Sequence, residues 1–227
     1  ISGESKDSFN NIAESIRAIA KESRFTSNEV ANMMQVLAQA GIKANELPAV
    51  SKQVGIFATA TNTDPKLAGD LFTTAKTNYD IDAINATRVT NALTAALNES
   101  KLEANGLATA FNYLAPQSAQ LGISMEKTLA MIATQAQAGV KSSTIGTGMS
   151  QMLKEFSAPK ARLQNLLDYY GLKKEDIDPL KKDFADIVDS LNNAVGKGGE
   201  VGVAVSHMFS ALESRVGRST VASLKLG

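Results

Sequence analysis

Apolar residues recur every three or four positions along most of the chain, which is the spacing of one face of an α-helix. The first such segment covers residues 4–23, and its apolar positions are Phe9, Ile12, Ile16, Ile19 and Ala20. A helix of this kind packs its apolar face on the rest of the protein or on another chain. No strand-like alternation of any length is present, so the pattern predicts an all-α protein.

Helix-capping residues predict where several helices begin. Thr26 and Glu29 have the spacing of a capping box. At Leu47-Pro48, Asp64-Pro65 and Asp178-Pro179 a proline stands where it suits the first turn of a helix. We therefore expect helices to begin at all four places.

Other residues predict interruptions. Asp80-Ile81-Asp82 breaks the pattern ahead of a helix that runs from Ile84 through Leu97, and Pro116 should kink or restart the helix that contains it. Residues 196–199 are a flexible turn by composition, and residues 201–212 and 217–226 form a predicted helical hairpin.

Glycines end several of the predicted helices. Residues 136–141 (AQAGVK) repeat residues 38–43 (AQAGIK) almost letter for letter, and each copy closes a run of helical turns. Gly41 is expected to adopt a left-handed conformation at the helix end, and Gly139 stands at the same place in the second copy. We predict a compact multi-helix bundle of repeated helix–glycine–helix units with about ten helices.

The segment that follows Gly139 is rich in small residues. Ser142 or Ser143 is expected to cap a helix that extends to about Ser157. Gly146 and Gly148 lie inside this helix and each weakens it by roughly 1 kcal/mol relative to alanine. We therefore expect close backbone packing there.

Changes in composition predict three parts. Residues 1–25 form an N-terminal amphipathic helix and residues 26–157 a core helical domain. Residues 158–227, which follow a shift to larger apolar side chains after Pro159, form a C-terminal helical subdomain. The chain opens at Ile1 without methionine, so we expect a segment of a longer protein or a processed product.

Composition and charge exclude several function classes. The 227 residues are 44% hydrophobic and only 5% aromatic, which favours helices packed closely through small and aliphatic side chains. Lys+Arg and Asp+Glu both number 23, so the basic footprint of a nucleic-acid-binding domain is missing. The chain has no cysteine, which excludes disulfides and thiolate metal sites. It also lacks an apolar run long enough to span a membrane.

Three groups of residues were considered as candidates for binding or catalysis. The first group resembles a phosphate-binding loop in composition and consists of Gly139, Gly146, Gly148, Ser143 and Thr147. The Gly-Lys-Ser/Thr ending of such a loop and a preceding strand are missing. We therefore favour helix stopping and close packing for these glycines.

Glu99-Ser100 and Glu213-Ser214 are the second group, because all-α lytic enzymes that act on cell-wall glycans use a glutamate at a helix end followed by serine. Such a glutamate would need burial inside a glycan cleft. Both lie among polar and charged residues, so solvated helix ends are the favoured interpretation.

His207 is the single histidine, which leaves few partners for a metal site or a catalytic triad. The methionines recur at helical spacing among Leu and Ile, so we favour a role in filling the hydrophobic core over a role in a groove that binds a partner protein. They are Met33, Met34, Met125, Met131, Met149, Met152 and Met208. We predict no catalytic, cofactor-binding or metal-binding residues and no cofactor.

From Thr26 to about Phe156 the chain resembles the conserved core region of tailed-phage tail tape measure proteins. The resemblance rests on residues 38–47 (AQAGIKANEL), on Leu107, Ala110, Tyr113 and Ala115-Pro116, and most specifically on residues 121–149 (LGISMEKTLAMIATQAQAGVKSSTIGTGM). The resemblance is weaker in the C-terminal part, where it rests on Tyr170-Gly171-Leu172 and Met208-Phe209. Ser142 and Gly148 depart from it, since the family often has glycine and alanine there.

The resemblance implies a structural protein of the virion that occupies the tail tube, sets tail length during assembly and leaves the tube during genome delivery. It implies self-association and contact with tail tube, tail-tip or baseplate and tail assembly chaperone proteins, in the host cytoplasm during assembly. It implies no catalytic residues and no sequence-specific nucleic acid. Two alternatives remain: a peptidoglycan-degrading module, and a segment that contacts a membrane transiently during delivery.

Overall fold

The computed structural model describes residues 6–137, 139–182 and 184–195. Within these ranges every regular element is helical, so the all-α prediction is confirmed. The helices are α1 (Lys6–Glu22), α2 (Ser27–Gln39), α3 (Leu47–Ala60), α4 (Pro65–Tyr79), α5 (Ala86–Glu99), α6 (Ala104–Gln120), α7 (Met125–Gln137), α8 (Ser142–Ser157), α9 (Ala161–Tyr169) and α10 (Phe184–Val195), with 3₁₀ turns at Ala83–Asn85 and Lys174–Asp176. The predicted turn at 196–199 and the hairpin at 201–226 lie outside the described residues.

The chain divides into two compact units, Ile1–Ala108 and Thr109–Gly227. The division falls inside the sequence of α6, where the helix itself continues without a break. The predicted three-part organisation, with bounds after residues 25 and 157, stays a prediction.

In the first unit α3 is the central helix, because it contacts α1, α2, α4 and α5. Its sequence suits that position, since Val54, Phe57 and Ala58 are fully or almost fully buried. The most extensive contact in this unit lies between α2 and α4. Gly69 of α4 lies at this contact, and a Cβ built there would lie at ordinary van der Waals distance from α2, 3.4 Å from Val36 Cγ1 and 3.5 Å from Met33 O.

The capping residues predicted at two helix starts of the first unit are confirmed. The Thr26 hydroxyl accepts a hydrogen bond from the Glu29 amide at 3.3 Å, while Glu29 Oε2 accepts one from the Thr26 amide at 2.7 Å. This is the capping box that the spacing predicted. Asp64 Oδ1 accepts from the Leu67 amide at 3.1 Å, directly before Pro65.

Six helix ends among the described residues share one C-terminal motif, in which a residue with positive φ is followed by an amide that bonds a carbonyl five positions back. This bond measures 2.8 to 3.2 Å at the ends of α2, α3, α4, α6, α7 and α9. The residues with positive φ are Gly41, Asn62, Asp80, Gly122, Gly139 and Gly171. The predicted conformation of Gly41 is thus confirmed, whereas a single repeated helix–glycine–helix unit stays a prediction.

Two predicted helix starts are wrong. Helix α8 begins at Ser142 with Lys141 as the extended residue before it, and no side chain caps its first turn. The helix starts earlier than predicted because Lys141 is already extended directly after the motif that ends α7. Asp178-Pro179 begins a short turn in which Asp178 O accepts from the Lys181 and Lys182 amides, and α10 begins only at Phe184.

Two predicted interruptions also differ from the structure. Helix α6 continues through Pro116, whose neighbours Leu114, Ala115 and Ser118 are fully buried, so the predicted restart is wrong and a kink at Pro116 stays a prediction. Ile84 lies in the 3₁₀ turn before α5 and is 90% exposed. The helical spacing therefore begins at Ala86 and not at Ile84.

In the second unit α6 and α8 approach closely at a glycine. A Cβ built on Gly146 would lie 2.8 Å from Ala110 O and 2.9 Å from Tyr113 Cβ, so only glycine fits. The close backbone packing expected at Gly146 is confirmed. Around it the unit buries Phe111, Met149 and Met152.

Candidate functional site

A polar cleft of about 690 Å³ lies in the first unit, where two helix-to-helix connections come together. One wall consists of residues 60–64 and Leu67, and the other of Leu97, Asn98 and residues 102–105. The first wall is the end of α3 and the start of α4, and the second joins α5 to α6. The cleft is polar because both connections carry capping and turn residues.

Most polar groups of the first wall already have partners within the chain. Asp64 caps α4, and the Thr61 and Thr63 hydroxyls bond each other at 2.7 Å. Arg24 Nη1 donates to Asn62 Oδ1. The first wall is therefore stabilised by its own hydrogen bonds. The two carboxylates that line the cleft, Asp64 of this wall and Glu103 of the second wall, are both exposed.

Glu99, the described member of the two glutamate–serine pairs, lies at the last residue of α5 and is exposed. It does not line the polar cleft, although its neighbour Asn98 does. Ser100 instead accepts a hydrogen bond from the Leu102 amide at 3.3 Å and so shapes the turn into α6. The structure does not bring Glu99 into the buried setting that a glycan-cleaving acid requires. Glu213-Ser214 lies outside the described residues.

The glycine and hydroxyl residues after α7 do not form a phosphate-binding loop. The Gly139 and Val140 amides, which such a loop would present, donate to Ala136 O at 2.9 Å and Gln135 O at 3.1 Å. The Thr147 hydroxyl donates back to Ser143 O at 2.7 Å. Gly139 therefore ends a helix and Gly146 permits close packing, as the sequence predicted.

The methionines at positions 33, 34, 125, 131, 149 and 152 are all buried, which confirms their interpretation as core residues. Met208 and His207 lie outside the described residues. Among the described residues no three His, Cys, Asp or Glu side chains come together as a metal site would require. No described helix has the length and apolarity to cross a membrane.

Three carboxyl groups, of the exposed Glu29 and Glu175 and the partly buried Asp176, have lowered pKa values, each through contacts within a turn. The Thr26 backbone amide lowers the pKa of Glu29, and the Lys173 backbone amide and then Lys182 lower the pKa of Asp176. For Glu175, its own backbone amide is the largest cause of the lowered pKa, followed by the charge of Lys181. Each of these contacts stabilises the charged carboxylate at the start of a helix or 3₁₀ turn. The lowered pKa values are therefore explained by the fold.

An apolar notch of about 250 Å³ lies between α1 and α3 in the first unit. Ile19, Gly55, Ile56 and Ala60 supply its apolar lining, and Glu22 and Lys52 are its charged members. Ile56 is 53% exposed. The notch was not predicted from the sequence, although Gly55 carries one signal for it: a glycine in the middle of an apolar helix indicates close approach of another element.

The described residues thus form a helical protein with a closely packed glycine at Gly146, capped helix starts and a few exposed apolar side chains. The sequence profile of the phage-related minor tail protein family matches residues 13–216. The chain belongs to this family.

Two relatives give a more specific comparison. The chain is 25% identical over 173 residues to the tape measure protein of Pneumococcus phage Dp-1, covering 74% of this chain and 15% of that protein. It is 23% identical over 176 residues to the probable tape measure protein of Escherichia phage P2, covering 77% of this chain and 22% of that protein. The chain therefore spans less than a quarter of the length of either relative. No solved structure matches the chain.

Proposed function

We propose that this chain is the compact helical segment of a tape measure protein in a bacteriophage tail, where it acts in tail-length determination during assembly and in genome delivery. The observation that carries the proposal is the family match over residues 13–216, together with two relatives named as tape measure proteins. The packed α-helical core, in which glycines allow close contact, supports a structural role.

The proposal includes partners. The segment self-associates and contacts the tail tube, the tail-tip or baseplate and the tail assembly chaperone proteins, first in the host cytoplasm and then in the virion. Exposed apolar side chains of the described residues support contact with other chains, since Phe9 and Tyr169 are 71% and 81% exposed.

The test is an in-frame deletion of residues 26–157 from the phage gene, followed by electron microscopy of the particles. We expect tails that are absent or of irregular length. A matched pair of point variants refines the test: Leu93→Asp places a charge in the core at a fully buried position, whereas Ile84→Asp changes an exposed one. Leu93→Asp should reproduce the defect and Ile84→Asp should not. Normal tails in the deletion would refute the proposal.

We further propose that the segment acts without catalysis. The exposed position of Glu99 and the capping role of Ser100 support this. Purified chain should leave a peptidoglycan suspension turbid. Clearing that is lost in Glu99→Gln or Glu213→Gln would instead establish the lytic alternative.

A further inference from the structure

Asn105 and Gly106 form the single Asn-Gly pair of the chain and lie in the first turn of α6. A backbone amide that follows an asparagine can attack the side-chain carbonyl carbon of that asparagine and close a five-membered ring. Other residue types hinder this approach with their Cβ, whereas glycine has none. The pair is therefore the place in this sequence where ring closure is least hindered.

The Gly106 amide is one of the amides that α6 leaves without an acceptor inside the helix. The first amide of α6 that bonds a carbonyl four positions back is that of Leu107, which donates to Glu103 O at 3.0 Å. The Ala104, Asn105 and Gly106 amides precede this bond, as the first amides of any α-helix do. The attacking nitrogen is thus not held by a hydrogen bond to a carbonyl of the helix.

The surroundings of the pair allow the reaction to proceed. The Asn105 side chain is exposed and lines the polar cleft, and Gly106 is half-buried. Water therefore reaches the side-chain amide from which ammonia must leave. A helical backbone keeps the attacking nitrogen away from the side chain, so the first turn must open before the ring can close. Such opening at a helix end costs little free energy.

We propose that Asn105 is a site of self-modification, at which ring closure by Gly106 N converts the asparagine into aspartate and isoaspartate. In the first step a bond forms between Gly106 N and Asn105 Cγ, and the bond from Cγ to Nδ2 breaks. The proton of the Gly106 amide leaves with the side-chain nitrogen as ammonia. In the second step solvent water hydrolyses the cyclic imide. Hydrolysis at Cγ gives aspartate, and hydrolysis at the backbone carbonyl of residue 105 gives isoaspartate.

Both products add a carboxylate to a cleft that Asp64 and Glu103 already line. Aspartate leaves the backbone of α6 unchanged, and its charge is favourable in the first turn because the helix dipole is positive there. Isoaspartate adds a methylene group to the backbone and so displaces the first turn. The modification therefore makes the cleft more negatively charged and, in the isoaspartyl product, alters the connection from α5 to α6.

Incubation of the full 227-residue chain at neutral and mildly alkaline pH, followed by peptide mass spectrometry, tests the proposal. The peptide that contains residue 105 should gain the mass difference between an amide and an acid, and should separate into two products of equal mass. The rate should rise with pH, because hydroxide removes the proton of the attacking amide. Aspartate as the sole product would indicate direct hydrolysis of the side chain and would overturn ring closure.

Asn98-Glu99 is the internal control. Asn98 is exposed and lines the same cleft, but a glutamate follows it, and both residues lie in the last turn of α5. The amides of a last helical turn have acceptors inside the helix, unlike those of a first turn. Asn98 should therefore remain asparagine while Asn105 is converted. Equal conversion at the two positions would refute the argument from the glycine and the helix start.

Two variants separate the chemistry from the fold. Asn105→Gln keeps an amide at this exposed position, but its longer side chain would have to close a less favourable six-membered ring, so both products should be lost. Gly106→Ala should slow conversion at least about fivefold, the factor that corresponds to the difference in helix propensity between glycine and alanine.

Circular dichroism should show the helix content of the wild type in Asn105→Gln, so this variant decides the outcome even where Gly106→Ala disturbs the fold. A wild-type chain that stays unmodified at residue 105 would refute the site. Conversion of the same peptide that persists in Asn105→Gln would refute it as well. Neither result affects the tail-deletion experiment, which tests the structural role independently.

Discussion

The backbone of Ala110 in α6 occupies the space in which Gly146 of α8 would carry a side chain. A Cβ on Gly146 would lie 2.8 Å from Ala110 O and 3.1 Å from Ala110 Cα. Both atoms belong to a helix backbone, which cannot rotate aside as a flexible side chain can. The glycine is therefore required by packing, although it weakens the helix that contains it.

We expect Gly146→Ala to destabilise the second unit. Overpacking costs about 1–3 kcal/mol, and a clash at 2.8 Å with helix backbone places Gly146→Ala toward the upper end of that range, above the roughly 1 kcal/mol that alanine contributes through helix propensity. Gly69→Ala is the matched control, because its Cβ would lie 3.4 Å or more from its neighbours and so make ordinary contacts. Urea unfolding followed by circular dichroism should show a loss for Gly146→Ala and no loss for Gly69→Ala. Equal effects of the two changes would contradict the packing argument.

The helix end at Gly41 provides a second prediction. Gly41 has φ of 83° and nothing within 4 Å of a Cβ, so Gly41→Ala should cost about 1 kcal/mol through backbone strain alone. Asp80 adopts φ of 48° at the end of α4, so Asp80→Gly should relieve strain there. The midpoint of thermal unfolding should fall in Gly41→Ala and rise in Asp80→Gly, each relative to the wild type. A lower midpoint for Asp80→Gly would show that the Asp80 side chain contributes more than its backbone costs.

The capping box at the start of α2 provides a third prediction. Thr26→Ala removes the hydroxyl that accepts from the Glu29 amide and should cost about 1 kcal/mol. Native-state hydrogen exchange should show faster exchange in the first turn of α2. Ser27→Ala is the control, since Ser27 lies one residue later and is not the capping residue. Similar exchange in the two variants would argue against the cap.

The same box predicts a pH dependence. The Thr26 amide stabilises the Glu29 carboxylate only in the folded chain, so the pKa of Glu29 is lower in the folded state than its usual 4.5. The stabilisation is fully present above the unfolded-state pKa and is lost as pH falls through the lower folded-state value. Thermal unfolding at pH values from about 3 to 7 should show the wild type losing its advantage over Glu29→Gln as the solution becomes more acidic. Parallel pH profiles would refute this assignment.

A fifth prediction concerns the connection between the second 3₁₀ turn and α10. Lys182 Nζ lies 3.0 Å from Asp176 Oδ1 and 3.1 Å from Ser190 Oγ, and so joins the turn to the helix. Lys182→Met should speed hydrogen exchange in α10. Lys181→Met should have less effect, because its ion pair with Glu175 is longer, at 3.5 Å, and more exposed. Identical exchange in both variants would mean that Lys182 does not hold α10.

Local residue chemistry was sufficient to predict much of the fold. The confirmed helix starts and ends depend on local contacts, at Thr26 with Glu29, at Asp64 with Pro65 and at Gly41. Because each acts through atoms within a few residues, its effect is visible in the sequence. The same holds for buried methionines at helical spacing. Residues 38–47 and 121–149 also identified the family that the comparison then showed.

Local patterns failed where distant contacts decided the outcome. A restart of α6 at Pro116 was one of the two expected outcomes, but the helix continues through the proline among fully buried neighbours. The apolar notch was not predicted at all, because it forms only when α1 and α3 pack against each other around Gly55.

The sequence by itself determined that the protein is helical, where most helices of the first unit begin and end, and to which family the chain belongs, because these depend on short-range spacing and on residue identity. Only the tertiary structure decided that Gly146 faces the backbone of Ala110 and that Phe9 remains in solvent while Ile19 is buried. Helical periodicity shows which residues share a face. It does not show how much of that face a neighbouring helix covers, since coverage depends on where helices far apart in the sequence come to lie.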